Sequence, residues 1–295
     1  MHLSAAIVIA TLVSPAPAQV EEFWVDPTAT DLEIRVLDEF PDADSRDLRH
    51  RVAIDASSDP PEFLFVFVPG SGGLPSDYTE VVRHAAERGL ASVGIAYPNL
   101  PSLRDLLAGV DDLDEPERIR RERVYGEPLS EQITVERSDS FENRLAKLIV
   151  WLGEAQPSAG WDRFVTEEGT PRWERIVIAG HSQGAGHAAY MMKERRLAGA
   201  LMYAGPGDVV PNVGRANWLF RDNVTPAIAA GGFVHIDDFG APAMFEHQRI
   251  VGLEHFDPIQ SVGAWPADSL TSRRLTKLAP PPNFRGEHGV DVVDD

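Results

Sequence analysis

The 295-residue chain has no cysteine, which excludes disulfide cross-links, a thiolate nucleophile and cysteine-ligated zinc. Positive charge is scarce: 27 Lys and Arg stand against 46 Asp and Glu, for a formal net charge of −19. So acidic a surface disfavours nucleic acid and anionic membrane as partners. After the first residues no apolar run is long enough to span a bilayer, so no stable membrane span is expected. The Asp and His residues lack a ligand spacing such as H-E-x-x-H, and no metal or organic cofactor is expected.

What the chain does contain is enough apolar sequence, 43%, to bury a substantial core at a length that suits one domain. At the N-terminus an apolar run, Leu3 to Val13, leads to Ala16-Pro17-Ala18, small residues flanking a third. This is the layout of a cleavable secretory leader, residues 1–18, although the n-region offers no Lys or Arg. The expected mature chain, 19–295, is then secreted or periplasmic. A protein of this size needs no disulfides to survive there.

Along the mature chain, strand patterns alternate with helical ones. Leu32–Leu37 and the segment around Arg51–Ile54 read as an opening hairpin of half-buried strands. Phe63 to Val68, FLFVFV, is a continuous apolar run ending in Pro69-Gly70, as a strand buried on both faces would be. A helix is expected over Asp77–Arg88, then a strand over Leu90–Tyr97 stopped by Pro98. Residues 99–137 carry an acidic run followed by four arginines between Arg118 and Arg123. They read as a surface insertion bordering a site, with a solvated helical insertion as the plainer alternative. Phe141, Leu145, Leu148, Ile149 and Leu152 form a helical stripe. Strands are then expected at Trp173–Gly180, Leu197–Ala204, Phe233–Ile236 and, more weakly, Leu270–Leu278, with a helix at Ala185–Glu194. Such alternation implies an α/β fold with a mainly parallel sheet, whose ligands sit at the carboxyl ends of the strands.

At one of those ends stands Gly180-His181-Ser182-Gln183-Gly184, which fits G-x-S-x-G. A tight strand–turn–helix of this kind lifts a serine hydroxyl clear of the sheet, and the helix N-terminus favours negative charge. The plain alternative is a serine that merely caps the helix. An acyl-transfer serine needs donors for the oxyanion. One is the backbone N–H of Gln183; the other belongs to the loop Pro69-Gly70-Ser71-Gly72-Gly73, with Ser71 first and Gly72 second by position. For the base, histidines before or beside the serine are set aside, as are His235 inside a strand and His247 and His255 before the last one. His288, between Glu287 and Gly289 after the final strand, remains. The acid that orients it is placed at Asp238, then Asp237, then Asp208, each following a strand. Trp218, in a segment 209–225 expected to shape the pocket, reads as core rather than as a substrate-stacking residue.

The order strand–PGSGG, strand–AYPN, strand–GHSQG–helix, strand–HIDD and terminal HG resembles the α/β-hydrolase superfamily, over roughly Leu32 to His288. The strings VPGSGGLPSDY, AYPN, DSFENRL and GHSQGAGHAAY are similar to a little-characterised bacterial branch of secreted hydrolases. The resemblance implies an α/β-hydrolase fold, a Ser182–Asp238–His288 triad and oxyanion donors at Ser71 and Gln183. Two departures stand out: the family's usual His-Gly is Pro69-Gly70, and the chain runs seven residues past His288 where a closing helix is common. The activity expected is cleavage of a carboxylic ester, in a small or polymeric substrate, through an acyl-enzyme on Ser182. An amidase or peptidase on the same triad, and a silent hydrolase-like binding protein, are the alternatives.

Overall fold

The computed structural model describes residues 19–37, 40, 46–57, 59–253, 260–261 and 274–277. Eleven strands are described: β1 (Val20–Val25), β2 (His50–Asp55), β3 (Leu64–Val68), β4 (Ala91–Gly94), β5 (Ile176–His181), β6 (Gly199–Tyr203), β7 (Val209–Val210), β8 (Gly214–Arg215), β9 (Ala230–His235), β10 (Gln260–Ser261) and β11 (Arg274–Lys277). Helices are α1 (Pro27–Thr30), α2 (Thr79–Glu87), α3 (Leu103–Leu106), α4 (Glu115–Tyr125), α5 (Phe141–Ala155), α6 (Gln183–Glu194) and α7 (Ala241–Ile250). Nine strands form one sheet in the order β1-β2-β4-β3-β5-β6-β9-β11-β10; β7 and β8 make a small separate hairpin. β1, β2 and β4 pair antiparallel, and from β4 to β10 every pairing is parallel. The protein is thus an α/β fold with a mostly parallel central sheet and flanking helices.

Each face of the sheet buries alternate residues of its strands. Leu64, Val66 and Val68 of β3 join the larger core with Leu145, Leu148, Ile149 and Leu152 of α5 and Ala185, Ala188 and Ala189 of α6. Phe65 and Phe67 face the other way, onto Val82, Ala85 and Ala86 of α2. The period-2 alternation of a pleated strand divides one apolar run between two layers. The α5 stripe begins where Ser140 caps the helix, its hydroxyl accepting from the backbone N–H of Asn143.

Two expectations differ from the structure. The partner of β2 is β1, whose Val20–Val25 register runs against Asp55–His50, and Leu32–Leu37 is not a strand. In that segment the backbone polar groups are taken by side chains: the Arg35 N–H donates to Asp139 Oδ1 at 3.0 Å, and its carbonyl accepts from Arg144 Nη2 at 2.9 Å. The alternation there has no ladder to join. The helix of the 99–137 insertion, α4, is also far from solvated. Arg120, Glu122 and Arg123 are each 1% exposed. Glu122 is tolerated because its carboxylate accepts the backbone N–H groups of Leu129, Ser130 and Val135 at 3.0–3.2 Å, which organises the loop after the helix. Among the described residues no helix is long and apolar enough to cross a membrane.

Candidate active site

Ser182 sits between β5 and α6 with φ 53° and ψ −113°, a conformation that costs a non-glycine residue roughly 1–3 kcal/mol. The surroundings over-determine it. Its N–H donates to the Tyr203 carbonyl of neighbouring β6 at 2.8 Å, and its own carbonyl accepts from Gly186 at 3.1 Å. The two motif glycines are sterically required: a Cβ on Gly180 would lie 2.2 Å from the Gly184 carbonyl carbon, and one on Gly184 only 2.0 Å from the Val68 oxygen. The elbow is therefore clamped between α6 and the end of β3. The Ser182 side chain makes no capping bond to the helix it precedes, unlike the plain N-cap alternative.

The loop after β3 approaches the same point. A Cβ on Gly70 would stand 3.2 Å from Ser182 Cβ. The polar groups of this loop are nearly all spent on neighbours. Tyr97 donates to the Pro69 carbonyl (2.9 Å), Gly70 N–H donates to the Tyr78 hydroxyl (3.3 Å), and Gly73 N–H to the Gly70 carbonyl (3.0 Å). Asn99 accepts from Gly72 N–H and donates to the Gly73 carbonyl, both at 2.9 Å, while Arg46 Nη1 donates to the Gly72 carbonyl. No acceptor among the described residues takes the backbone N–H of Ser71. Gly72, the second candidate, is committed to Asn99. Gln183, as the first residue of α6, has no acceptor for its own N–H in a preceding turn. The N–H groups of Ser71 and Gln183 thus remain, the first on the loop that approaches Ser182 and the second directly after it in the chain.

The acid candidates differ sharply. Asp208 is 1% exposed and both its oxygens are engaged: Oδ1 and Oδ2 accept from Arg120 Nη2 (2.5 Å) and Nε (2.6 Å), and Oδ2 also from Trp218 Nε1 (2.8 Å). Trp218 is wholly buried, as a core residue. Asp237 is exposed. Asp238 is buried in the turn after β9, with Oδ1 accepting the Gly240 N–H at 2.7 Å. β9 lies two strands from β5, across β6, and the chain leaves its other neighbour β11 at the same sheet end. His288 and His255 lie outside the described residues.

His50, His187 and His247 have structural surroundings. His50 Nδ1 accepts the Ala96 N–H, and burial followed by the nearby Arg144 charge pushes its pKa down to about 3. His187, on the elbow helix α6, is held well below the ordinary value by burial, then by Arg120 and Arg123. Burial also lowers His247, which bonds the Pro206 carbonyl at 3.0 Å. Among the described residues no three His, Asp or Glu side chains gather as a metal-binding group.

Sequence reading overlooked several residues that build this site: Tyr78, Tyr97, Asn99, Arg120 and Arg123. The signal for two of them was AYPN at the carboxyl end of β4, beside the PGSGG loop it braces. The arginines gave no such signal, because a basic run ordinarily marks a solvated face. No protein-family model and no curated protein matches the sequence.

Proposed function

We propose that the protein is a serine hydrolase of the α/β-hydrolase type that cleaves a carboxylic ester through an acyl-enzyme on Ser182. The observation that carries this reading is the strained Ser182 turn between β5 and α6, facing a β3 loop whose only unspent N–H, among the described residues, is that of Ser71. A stable fold has no need of that strain, whereas a nucleophile elbow does. Donors from the residue after the nucleophile and from the loop after β3 are the pair that such a site uses.

In the proposed reaction Ser182 Oγ attacks the ester carbonyl while His288 takes its proton. The oxyanion is held by the N–H groups of Ser71 and Gln183. Collapse expels the alcohol, which receives the proton from His288; water then enters, activated by the same imidazole, and releases the acid. Asp238 fixes the tautomer of His288 and stabilises its protonated form. Of the three acid candidates, burial favours Asp238 over exposed Asp237, and Arg120 already holds Asp208. We further propose that residues 1–18 are an export leader, so a secreted product would begin at Gln19 by N-terminal mass analysis.

Fluorophosphonate labelling of the protein from Gln19 onward, read by intact mass, tests the assignment. Stoichiometric labelling abolished by Ser182→Ala and by His288→Ala is expected, followed by turnover of p-nitrophenyl esters in excess of the matching anilides. A folded protein that takes no label would overturn the hydrolase reading in favour of a silent binding protein. Label surviving Ser182→Ala would mean a different nucleophile.

A further inference from the structure

Gln183 is more than the residue whose N–H follows the nucleophile. Its side chain, in a residue 6% exposed, is fully engaged. Oε1 accepts from three donors: the hydroxyl of Ser71 at 3.0 Å, the N–H of Leu103 at 3.0 Å and Nη1 of Arg123 at 2.5 Å. Nε2 donates to the Asn99 carbonyl at 3.1 Å. Three donors converging on one atom and an acceptor facing the other fix the amide orientation. The main chain of the same residue is held too, since Arg120 Nη1 donates to the Gln183 carbonyl at 3.1 Å.

The consequence is geometric. The two oxyanion donors of the proposed reaction, the N–H groups of Ser71 and Gln183, belong to different loops that no backbone hydrogen bond joins directly. Their direct side-chain link is the Ser71 Oγ–Gln183 Oε1 bond, with Asn99 bridging Gln183 to Gly72 beside it. Arg123 donates to the same Oε1 and anchors itself on the Pro101 carbonyl. Arg120, also on α4, occupies the space a side chain at position 186 would need: a Cβ on Gly186 would lie 1.9 Å from its Nη2. The insertion helix α4 thus reaches beneath the elbow with two guanidinium groups one turn apart.

We propose that the Gln183 side-chain amide is a spacer that sets the separation of the two oxyanion donors, and that Arg123 is the positioning residue that holds it. Arg123 touches neither substrate nor Ser182 Oγ in this role; it acts through Gln183. The inference rests on the serine-hydrolase reading. A donor aimed at the developing charge contributes roughly 10²–10³ in rate, so partial misplacement should cost roughly 10–100-fold.

The test measures kcat, KM and the pH dependence of p-nitrophenyl butyrate hydrolysis for Arg123→Met, Arg123→Lys, Ser71→Ala and the double variant Ser71→Ala/Arg123→Met. Each is also assayed for thermal unfolding and fluorophosphonate labelling. Ser71→Ala keeps the backbone N–H and removes a single part-buried hydroxyl, so it remains informative if an arginine variant fails to fold. The expected result is a 10–100-fold fall in kcat with KM within twofold, an unmoved pH profile, partial recovery in Arg123→Lys, and a double variant no worse than the poorer single. Ser71→Ala and Arg123→Lys both within twofold of the parent kcat, or losses that multiply in the double variant, would overturn the spacer. So would a shifted pH profile, which would place Arg123 in the electrostatics of the base instead. Failure of the parent protein to label at Ser182 would sink the underlying reading, a result separate from any of these.

Discussion

Breaking the Arg120–Asp208 pair should destabilise the fold more than any surface change, and the structure allows the size to be worked out. Both side chains are 1% exposed, joined by two hydrogen bonds of 2.5 and 2.6 Å. Arg120→Met leaves the Asp208 carboxylate buried with Trp218 Nε1 as a remaining donor. It also removes donors from the Gln183 carbonyl and from His187 Nδ1. Removing one partner of a buried ion pair costs about 3–5 kcal/mol, against a total stability of about 5–15 kcal/mol. Asp208→Leu should cost a similar amount, by stranding a guanidinium under α6. The double variant Arg120→Met/Asp208→Leu removes both charges and should cost less than either single change, roughly 1–3 kcal/mol for the polar groups left over. Urea unfolding of the four proteins gives the coupling directly, and the expected value is at least about 2 kcal/mol in favour of the pair. Single variants that cost under about 1 kcal/mol, or a double variant equal to their sum, would refute the view that these charges are desolvated together.

Gly184→Ala places a Cβ within 2.0 Å of the Val68 oxygen, so it should lower stability by about 1–3 kcal/mol and ester turnover by roughly 10²-fold, read by urea unfolding and kcat. Ser182→Gly should do the reverse to stability: relieving the φ 53° strain should raise it by about 1–2 kcal/mol while abolishing fluorophosphonate labelling. Acid should destabilise the fold through His50, whose folded-state pKa of about 3 lies below the ordinary 6.5. The unfolded chain then binds the extra proton, so this contribution is intact above about pH 6.5. It is lost on acidification at roughly 1.4 kcal/mol per pH unit down to about pH 3. A His50→Gln variant, measured by urea unfolding from pH 7 to 4, should show a shallower loss than the parent.

Much of the sheet was legible because its inner strands are short apolar runs closed by glycine or proline, as at Phe63–Val68. The elbow was legible because a glycine pair around a serine has few other uses after a strand. The first strand was missed: VEEFWV breaks strict alternation, while Leu32–Leu37 imitates it without a ladder to join. The α4 arginines were missed for a deeper reason. Their role depends on Asp208, eighty-eight residues downstream of Arg120, and on the carbonyls and amide of the elbow. A local sequence pattern reports the charge of a residue and leaves its distant partner unstated. Among the acid candidates, three aspartates after strands looked alike, and only burial and the guanidinium of Arg120 distinguish them.

The first strand also bears on how copies of the protein meet one another. β1 ends the sheet's order, so one side of its ladder has no neighbouring strand among the described residues. A bare edge is a template onto which another chain can add. Here Glu21 is exposed on that strand and Glu22 pairs with Arg51, while the Trp24 ring is covered by the guanidinium groups of Arg49 and Arg51, at 5.6 and 4.7 Å. A second copy approaching edge to edge would bring its own Glu21 and the same charged rim against this one. With a net charge of −19 behind it, the charged first strand works against sheet-to-sheet aggregation, and Glu21→Gln would weaken that guard.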